Sequence, residues 1–191
     1  MERQRAVHTL ERLVAQAQQG NAQAFASVYE ELFERVFRYM LLRVGEQAEA
    51  EDLTQEVFAR VWEALPHYRP RGLPFAAWVF RIAHNLVVDR YRRKGRGQEV
   101  PLESGFGLAE SHDPAEAALA NLDAQHLRAA LGHLTDLQRQ VVLLRFGAGL
   151  SLQETARALN KSEGAVKALQ HAAVENLRRL LTQNQPIGKW Q

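Results

Sequence analysis

From Phe25 to Leu41 the apolar residues fall at Phe25, Val28, Tyr29, Leu32, Phe33, Val36, Phe37, Met40 and Leu41. Steps of three and four put them on one face of a helix, and such a face is buried. Gly45 ends that pattern. It resumes from about Ala48 to Leu65, where Leu53, Val57, Val61 and Leu65 are four apart and Phe58 and Trp62 widen the stripe. Pro66, Pro70, Gly72 and Pro74 then interrupt the chain, so HYRPRGLP reads as a loop. Pro74 suits the first position of the next helix, where a missing N–H leaves no bond unmade. That helix runs through WVFRIAHNLVVDRYRR and stops at Gly95–Gly97. Residues 95–112 have no periodicity and hold four glycines and a proline, the composition of a linker.

Beyond the linker, helix starts are marked by caps. Asp113-Pro114-Ala115-Glu116, Thr135-Asp136-Leu137-Gln138 and Ser151-Leu152-Gln153-Glu154 each place an oxygen acceptor three residues before an acid or amide. Reciprocal capping of this kind predicts helices beginning near 114, 136 and 152. A fourth begins near Glu163, after Asn160-Lys161-Ser162. No segment alternates as a strand does, and there is no Asn-Gly or Asp-Gly hairpin. The fold class is therefore all-α: two small helical domains, 1–94 and 113–182, joined by a flexible acidic linker, 95–112, with a tail at 183–191.

Charge changes this picture through its distribution. The net charge over 191 residues is only +2. Residues 1–98 carry 15 basic and 12 acidic side chains, whereas residues 124–191 carry 9 and 4. Between them Glu99, Glu103, Glu110, Asp113, Glu116 and Asp123 stand without a single Lys or Arg. Two basic lobes flank an acidic segment, a pattern that fits nucleic acid at both ends. The chain has no cysteine, which excludes a thiolate nucleophile and a Cys-ligated zinc and is compatible with a cytoplasmic location. No apolar run approaches the roughly 20 residues of a membrane span, so no membrane insertion is expected. The charged N-terminus MERQRAVHTLERLV is unlike a signal peptide.

Leu152 to His171, LQETARALNKSEGAVKALQH, meets the demands of a helix-turn-helix. Ala156 is small where the two helices would touch. Asn160 tolerates the left-handed backbone of a tight turn. Val166 and Leu169 press back on Leu159. Lys161, Ser162, Glu163, Lys167, Gln170 and His171 are left outward, where the start of a second helix meets base edges in the major groove. Arg157, Arg178 and Arg179 add a basic flank. An ordinary helical hairpin would match several of the same positions.

In the first lobe Tyr68, Arg69, Arg71, Phe75, Trp78, Phe80 and Arg81 interleave rings and cations around the loop. Single strands are held by such a mixture, bases stacking on rings while guanidinium groups follow phosphates. Arg81, Asn85, Arg92 and Arg96 share one side of the following helix, and Asp89 is placed to pair with Arg93. The same rings at helical spacing, Phe75 and Trp78 above all, fit a core equally well, and the residues alone leave both open.

Four blocks in order carry a resemblance: LVAQAQQGNAQAFASVYEELFERVFRYM, AEDLTQEVFARVWEAL, FAAWVFRIAHNLVVDRYRRKGR and LSLQETARALNKSEGAVKALQH. Over roughly residues 11–98 and 114–182 the chain resembles a bacterial RNA polymerase sigma factor of the extracytoplasmic-function class. The resemblance implies a subunit that binds core RNA polymerase, locates promoter DNA and promotes its melting, with an anti-sigma factor as regulator and no cofactor or catalytic activity. It implies that Asp52, Gln55 and Glu56 contact core polymerase, an acidic-polar edge left outward when Leu53, Val57 and Val61 are buried. It assigns the minus-ten element to Tyr68, Arg69, Arg71, Trp78, Arg81, Asn85, Arg92 and Arg93. The minus-thirty-five element falls to Arg157, Lys161, Ser162, Glu163, Lys167, Gln170 and His171. This chain departs from the family's more basic recognition helix at Leu169, Ala172 and Ala173. An 18-residue linker at ~3.3 Å each extends about 60 Å, enough for both lobes to touch one duplex about two turns apart.

Other classes remain to be separated. A stand-alone helix-turn-helix regulator would share the second lobe but not bind core polymerase. An enzyme finds little support: the seven histidines show no metal-ligand spacing, and no glycine-rich phosphate loop is present. A purely protein-binding helical adaptor would show no steeply salt-dependent duplex binding.

Overall fold

The computed structural model describes residues 2–70, 72–94, 126–127 and 129–183. The expected linker, the helix expected near 114, Arg71, Arg96 and the tail beyond residue 183 lie outside these. Four helices build the first lobe: α1 (Glu2–Gln18), α2 (Ala22–Val44), α3 (Gln47–Ala64) and α4 (Phe75–Lys94), with a 3-10 turn at Leu65–His67. The second lobe contains α5 (Asp136–Val142), a π-helical turn at Leu143–Gly147, α6 (Leu152–Ala158) and α7 (Glu163–Gln183). No strand occurs among the described residues.

Local chemistry sets most boundaries. Asn21 caps α2 by accepting from the Ala24 N–H at 3.0 Å. Gly45, at φ 81°, closes that helix with its N–H on the Leu41 carbonyl; a left-handed residue is the usual way to satisfy the last carbonyls. Glu46 caps α3. Thr135 and Ser151 form the expected reciprocal capping boxes with Gln138 and Glu154. Pro74 stands one position earlier than expected: its carbonyl accepts the first helical bond of α4, from Trp78. The start of α4 is also capped from afar, because the Glu11 carboxylate of α1 accepts from the Phe75 N–H at 3.1 Å.

The apolar stripe of α2 (Val28, Leu32, Val36, Met40) is buried against Leu53, Val57 and Val61 of α3 and Val79, Phe80, Ala83 and Val87 of α4. Two side chains depart from expectation. Trp62 is 46% exposed, lying edge-on against Phe25 at 4.6 Å rather than within the stripe. Asp89 approaches Arg92, at 3.6 Å, three residues on, and not Arg93.

The two lobes are packed together over one continuous core. Leu131, Leu134, Val142, Leu143, Leu144, Ala148 and Leu150 join the buried cluster of the first lobe, and α4 lies against α6 while α2 lies against the π turn. Polar contacts fix the placement. Arg43, its side chain only 3% exposed, pairs with Asp136 at 2.9 Å. The Tyr91 ring lies 5.6 Å from its guanidinium, and the Tyr91 hydroxyl donates to the Arg43 carbonyl. Arg35 Nε donates to the Ala148 carbonyl at 2.9 Å. A smaller cluster of Val141, Ala156 and Val166, flanked by Leu152, Leu159 and Leu169, holds α6 on α7.

Burial, aided by the charge of Arg43, lowers the pKa of His84, against the opposing pull of Asp136. A base whose pKa is depressed on folding binds fewer protons folded than unfolded, so stability is complete above the ordinary histidine value and falls as pH drops below about 6.5. The urea midpoint should therefore fall between pH 7.5 and 5.5, and fall less in His84→Gln; equal slopes would contradict the assignment. Asn160, at φ 52°, is the one non-glycine residue with positive φ among the described residues. Asn160→Ala should lower stability by about 1 kcal/mol, the cost of a left-handed alanine, whereas Asn160→Gly should not, as measured by chemical denaturation.

Candidate nucleic-acid interface

On the first lobe, α4 exposes Arg81, Asn85, Arg92 and Arg93 to solvent, with Leu86 and Val87 turned inward. The rings before them behave otherwise. Phe75 and Phe80 are fully buried. Tyr68, expected on the nucleic-acid surface, is 4% exposed and belongs to the core. Its ring packs 5.2 Å from Phe75 and 4.9 Å from Trp78, and its hydroxyl donates to the Leu73 carbonyl at 2.8 Å. Burial, aided by the nearby Glu11 carboxylate, raises the Tyr68 pKa, so the phenol stays neutral. With its hydroxyl satisfied inside the loop, nothing draws this side chain outward. Trp78 is half-buried against both rings, and the Arg69 guanidinium is held to the loop by the Pro66 and Tyr68 carbonyls at 3.0 and 2.9 Å.

On the second lobe the turn between α6 and α7 is closed by the Lys161 N–H on the Ala156 carbonyl at 2.8 Å. Ala156 is buried where the helices touch, and Val166 is buried against it. Lys161, Ser162, Glu163, Lys167 and His171 are exposed along the start of α7. Ser162 also caps the helix, its hydroxyl oxygen accepting from the Ala165 N–H at 3.2 Å. Gln170 does not stand with the outward group. It is half-buried, and its Oε1 accepts from Arg145 Nε at 2.9 Å. Arg145, on the π turn, also donates to the Leu150 carbonyl and so ties turn to helix. Nothing in the local pattern around Arg145 marks it for this role, because its partner is 25 residues away. Arg178 and Arg179 are engaged by Glu175 at 2.6 Å and Asn176 at 2.8 Å.

The two surfaces face each other. A cavity of about 660 Å³ lies between the lobes, walled by Arg69, Trp78 and Arg81 on one side and Arg157, Asn160 and Lys161 on the other. Among the described residues no carboxylate lines it. A Cβ at Gly72, which sits at φ +68°, would come 4.0 Å from the Arg157 guanidinium. Arg81, Arg157 and Lys161 make no ion pair with any described residue, and like charges gather across the cleft. Such a surface attracts phosphate.

Along α3, Asp52, Gln55 and Glu56 are exposed while Leu53, Thr54, Val57 and Phe58 are buried beneath them. Glu56 pairs with Arg60 at 2.5 Å. Ala59 and the exposed Trp62 continue this edge at helical spacing, an apolar extension hidden from sequence reasoning because Trp62 also fits the buried stripe. Among the described residues no group of acids and histidines could hold a metal ion, and no helix is long and apolar enough to cross a membrane.

This architecture has counterparts. Residues 28–97 match the Sigma-70 region 2 family, and residues 130–179 match Sigma-70, region 4. The chain is 40% identical over 170 residues to the ECF RNA polymerase sigma factor BldN of Streptomyces coelicolor, covering 88% of this chain and 64% of BldN. It thus spans just under two thirds of that relative. It is 36% identical over 174 residues to the ECF RNA polymerase sigma factor SigD of Mycobacterium tuberculosis, covering 88% of this chain and 82% of SigD. Among solved structures, CnrH in complex with the cytosolic domain of CnrY superimposes with a TM-score of 0.74 at 26% identity, over 93% of this chain and 99% of that one. With both sigma regions matched in order and relatives alike over most of their length, the chain belongs to the ECF sigma factors of RNA polymerase.

Proposed function

We propose that the chain joins core RNA polymerase, directs it to promoters and helps to open the DNA, and that Asp52, Gln55 and Glu56 on α3 make the polymerase contact. Arg69, Trp78, Arg81, Asn85, Arg92 and Arg93 then serve the minus-ten element. Arg157, Lys161, Ser162, Glu163, Lys167 and His171 serve the minus-thirty-five element. The observation that supports this assignment is the pairing of two cationic surfaces, one on each lobe, whose Arg81, Arg157 and Lys161 form no ion pair with any described residue. Phosphates would pair with them. With Tyr68 in the core, Trp78 is the ring left to meet a base drawn from the stack, a step that costs a few kcal/mol and needs such a contact. Gln170, held by Arg145, orients the recognition helix from behind.

A regulator acting without polymerase is disfavoured, since it has no use for a region 2 lobe with an acidic outer edge. No step of this role requires a catalytic group or cofactor of the chain's own, and it places the chain in the cytoplasm with the polymerase. CnrH, the structural neighbour, is held by a domain of another protein; for this chain we infer an anti-sigma factor as the corresponding regulator.

Gln55→Ala with Glu56→Ala should weaken co-purification with core polymerase by tenfold or more while leaving the melting temperature unchanged, because both side chains are exposed. Undiminished binding would refute the α3 assignment. In the holoenzyme, Lys161→Ala with Lys167→Ala should weaken promoter binding and reduce the slope of log affinity against log salt by about 0.9 per lost phosphate contact. An unchanged slope would place the upstream contacts elsewhere.

A further inference from the structure

The loop between α3 and α4 carries Arg69 and leads into Trp78, so its shape sets how both meet DNA. Pro66, Pro70 and Pro74 have no N–H to donate, which leaves the loop short of backbone donors. The Tyr68 N–H meets the Leu65 carbonyl at 3.1 Å and the Gly72 N–H meets the Pro70 carbonyl at 2.8 Å. Side chains hold other carbonyls. The Tyr68 hydroxyl donates to Leu73 from within the loop, and Arg69 Nη1 donates to the Pro66 and Tyr68 carbonyls. Further contacts come from α1, a helix that contacts neither polymerase nor DNA in the function proposed here.

Gln18, the last residue of α1, is half-buried, and its Nε2 donates to the Leu65 and Tyr68 carbonyls, each at 2.9 Å. An amide nitrogen has two hydrogens, and both are used. The two acceptors also fix which end of the amide faces the loop, because its oxygen would repel them. The Tyr68 carbonyl accepts from Gln18 and from Arg69 together, one lone pair for each, so the amide and the guanidinium share an anchor. Seven residues earlier on α1, Glu11 takes the far end of the loop by accepting from the Phe75 N–H at 3.1 Å. Seven residues are two helical turns, about 10.5 Å of rise, so both side chains stand on one face. Leu10, Val14 and Ala17 are buried in the core and seat α1 against α2. The helix is thus a fixed rail from which two polar groups reach the two ends of the loop.

We propose that Gln18 and Glu11 are positioning residues for promoter melting, and that α1 braces the loop in the shape that meets an unpaired base. Three contacts carry their effect. Arg69 shares the Tyr68 carbonyl with Gln18. The Tyr68 ring lies 4.9 Å from Trp78, and the Phe75 ring, whose N–H is held by Glu11, lies 5.4 Å from it. Gln18 and Glu11 themselves touch no DNA. A loop already held in its working shape loses less entropy when it takes a base, and that saving is what preorganisation contributes to binding. The inference rests on the promoter-melting function proposed for the chain and names the residues that set its loop.

Holoenzyme carrying Gln18→Met tests this, because methionine keeps the length and stem of glutamine and donates no hydrogen bond. On a duplex fragment from upstream of a start site that the native holoenzyme uses, open-complex formation should slow by about tenfold, the order expected when two carbonyls lose their donor. On the same fragment with the minus-ten region unpaired by mismatches, the loss should shrink to about twofold, because unpairing no longer has to be driven. A general folding defect lowers the active fraction and so acts on both templates alike. Equal losses on the two templates, or no loss on the duplex, would overturn the proposal. In the free chain, amide exchange of residues 65–75 should quicken severalfold in Gln18→Met while α2 and α3 keep their protection; unchanged exchange in the loop would also overturn it. Should Gln18→Met fail to fold, the other end of the loop decides. Glu11→Gln still offers the Phe75 N–H an acceptor and should stay near the native rate, whereas Glu11→Met should show the same split between templates. Identical behaviour of those two variants would contradict the brace. A native holoenzyme that opened no promoter, with a core active under another sigma factor, would end the promoter reading and the melting role with it, while exchange would still report whether α1 holds the loop.

Discussion

One guanidinium, that of Arg43, sits where three helices and both lobes converge. It is buried on the inner face of α2, under the Tyr91 ring of α4, and its carboxylate partner heads α5. Leaving such a charge buried without its partner costs roughly 3–5 kcal/mol, so an arrangement that separates Arg43 from Asp136 without hydrating Arg43 is strongly disfavoured. Asp136 is in turn held in place by the Thr135 capping box and by Gln140, which donates to its carboxylate. An acid in the first turn of a helix also meets the positive end of the helix dipole. The net stability of a buried pair is small because desolvation offsets attraction; what it gives here is a unique docking of one lobe on the other. His84 lies in the same neighbourhood, where burial and the charge of Arg43 lower its pKa.

The shared core and the ion pair together explain how the reading surfaces come to face each other. Once Leu144 and Leu150 are packed beneath α2 and α4, the short α6 and its turn are brought over the loop that follows α3. Arg157 and Lys161 arrive opposite Arg81 as a consequence of apolar packing, against their mutual repulsion. Folding thus gathers Arg69, Arg81, Arg157 and Lys161 around one cleft among the described residues. On α3 the acidic-polar edge of Asp52, Gln55 and Glu56 stays exposed.

What the sequence disclosed, and what it withheld, divides along the range of the interactions involved. Helix starts at Asp136 and Leu152 and the stop at Gly45 were legible because a cap is satisfied within three or four residues. The apolar face of α2 and the left-handed Asn160 were legible for the same reason. Tyr68 turns inward because what decides its orientation, a loop carbonyl at Leu73, lies beyond local periodicity, and the Arg145 that meets the half-buried Gln170 lies further still. Trp62 fits a buried stripe by period yet stays exposed, since Phe25 meets only its edge. Arg43 follows Tyr39 and Met40 on a face that periodicity assigns to the core, and its lobe offers it the Tyr91 ring but no acid among the described residues. Its acid, Asp136, lies 93 residues away. Family resemblance supplied roles for the two lobes but not their relative placement.

The role proposed for this chain is to confer promoter specificity on RNA polymerase through two lobes acting together. Transcription of the source genome by purified core polymerase with and without the chain, followed by mapping of the RNA 5′ ends, is the decisive experiment. A small set of new start sites should require the chain, each preceded by two sequence elements at one fixed spacing. Start sites unchanged by the chain, with a core shown to be active by another sigma factor, would contradict it.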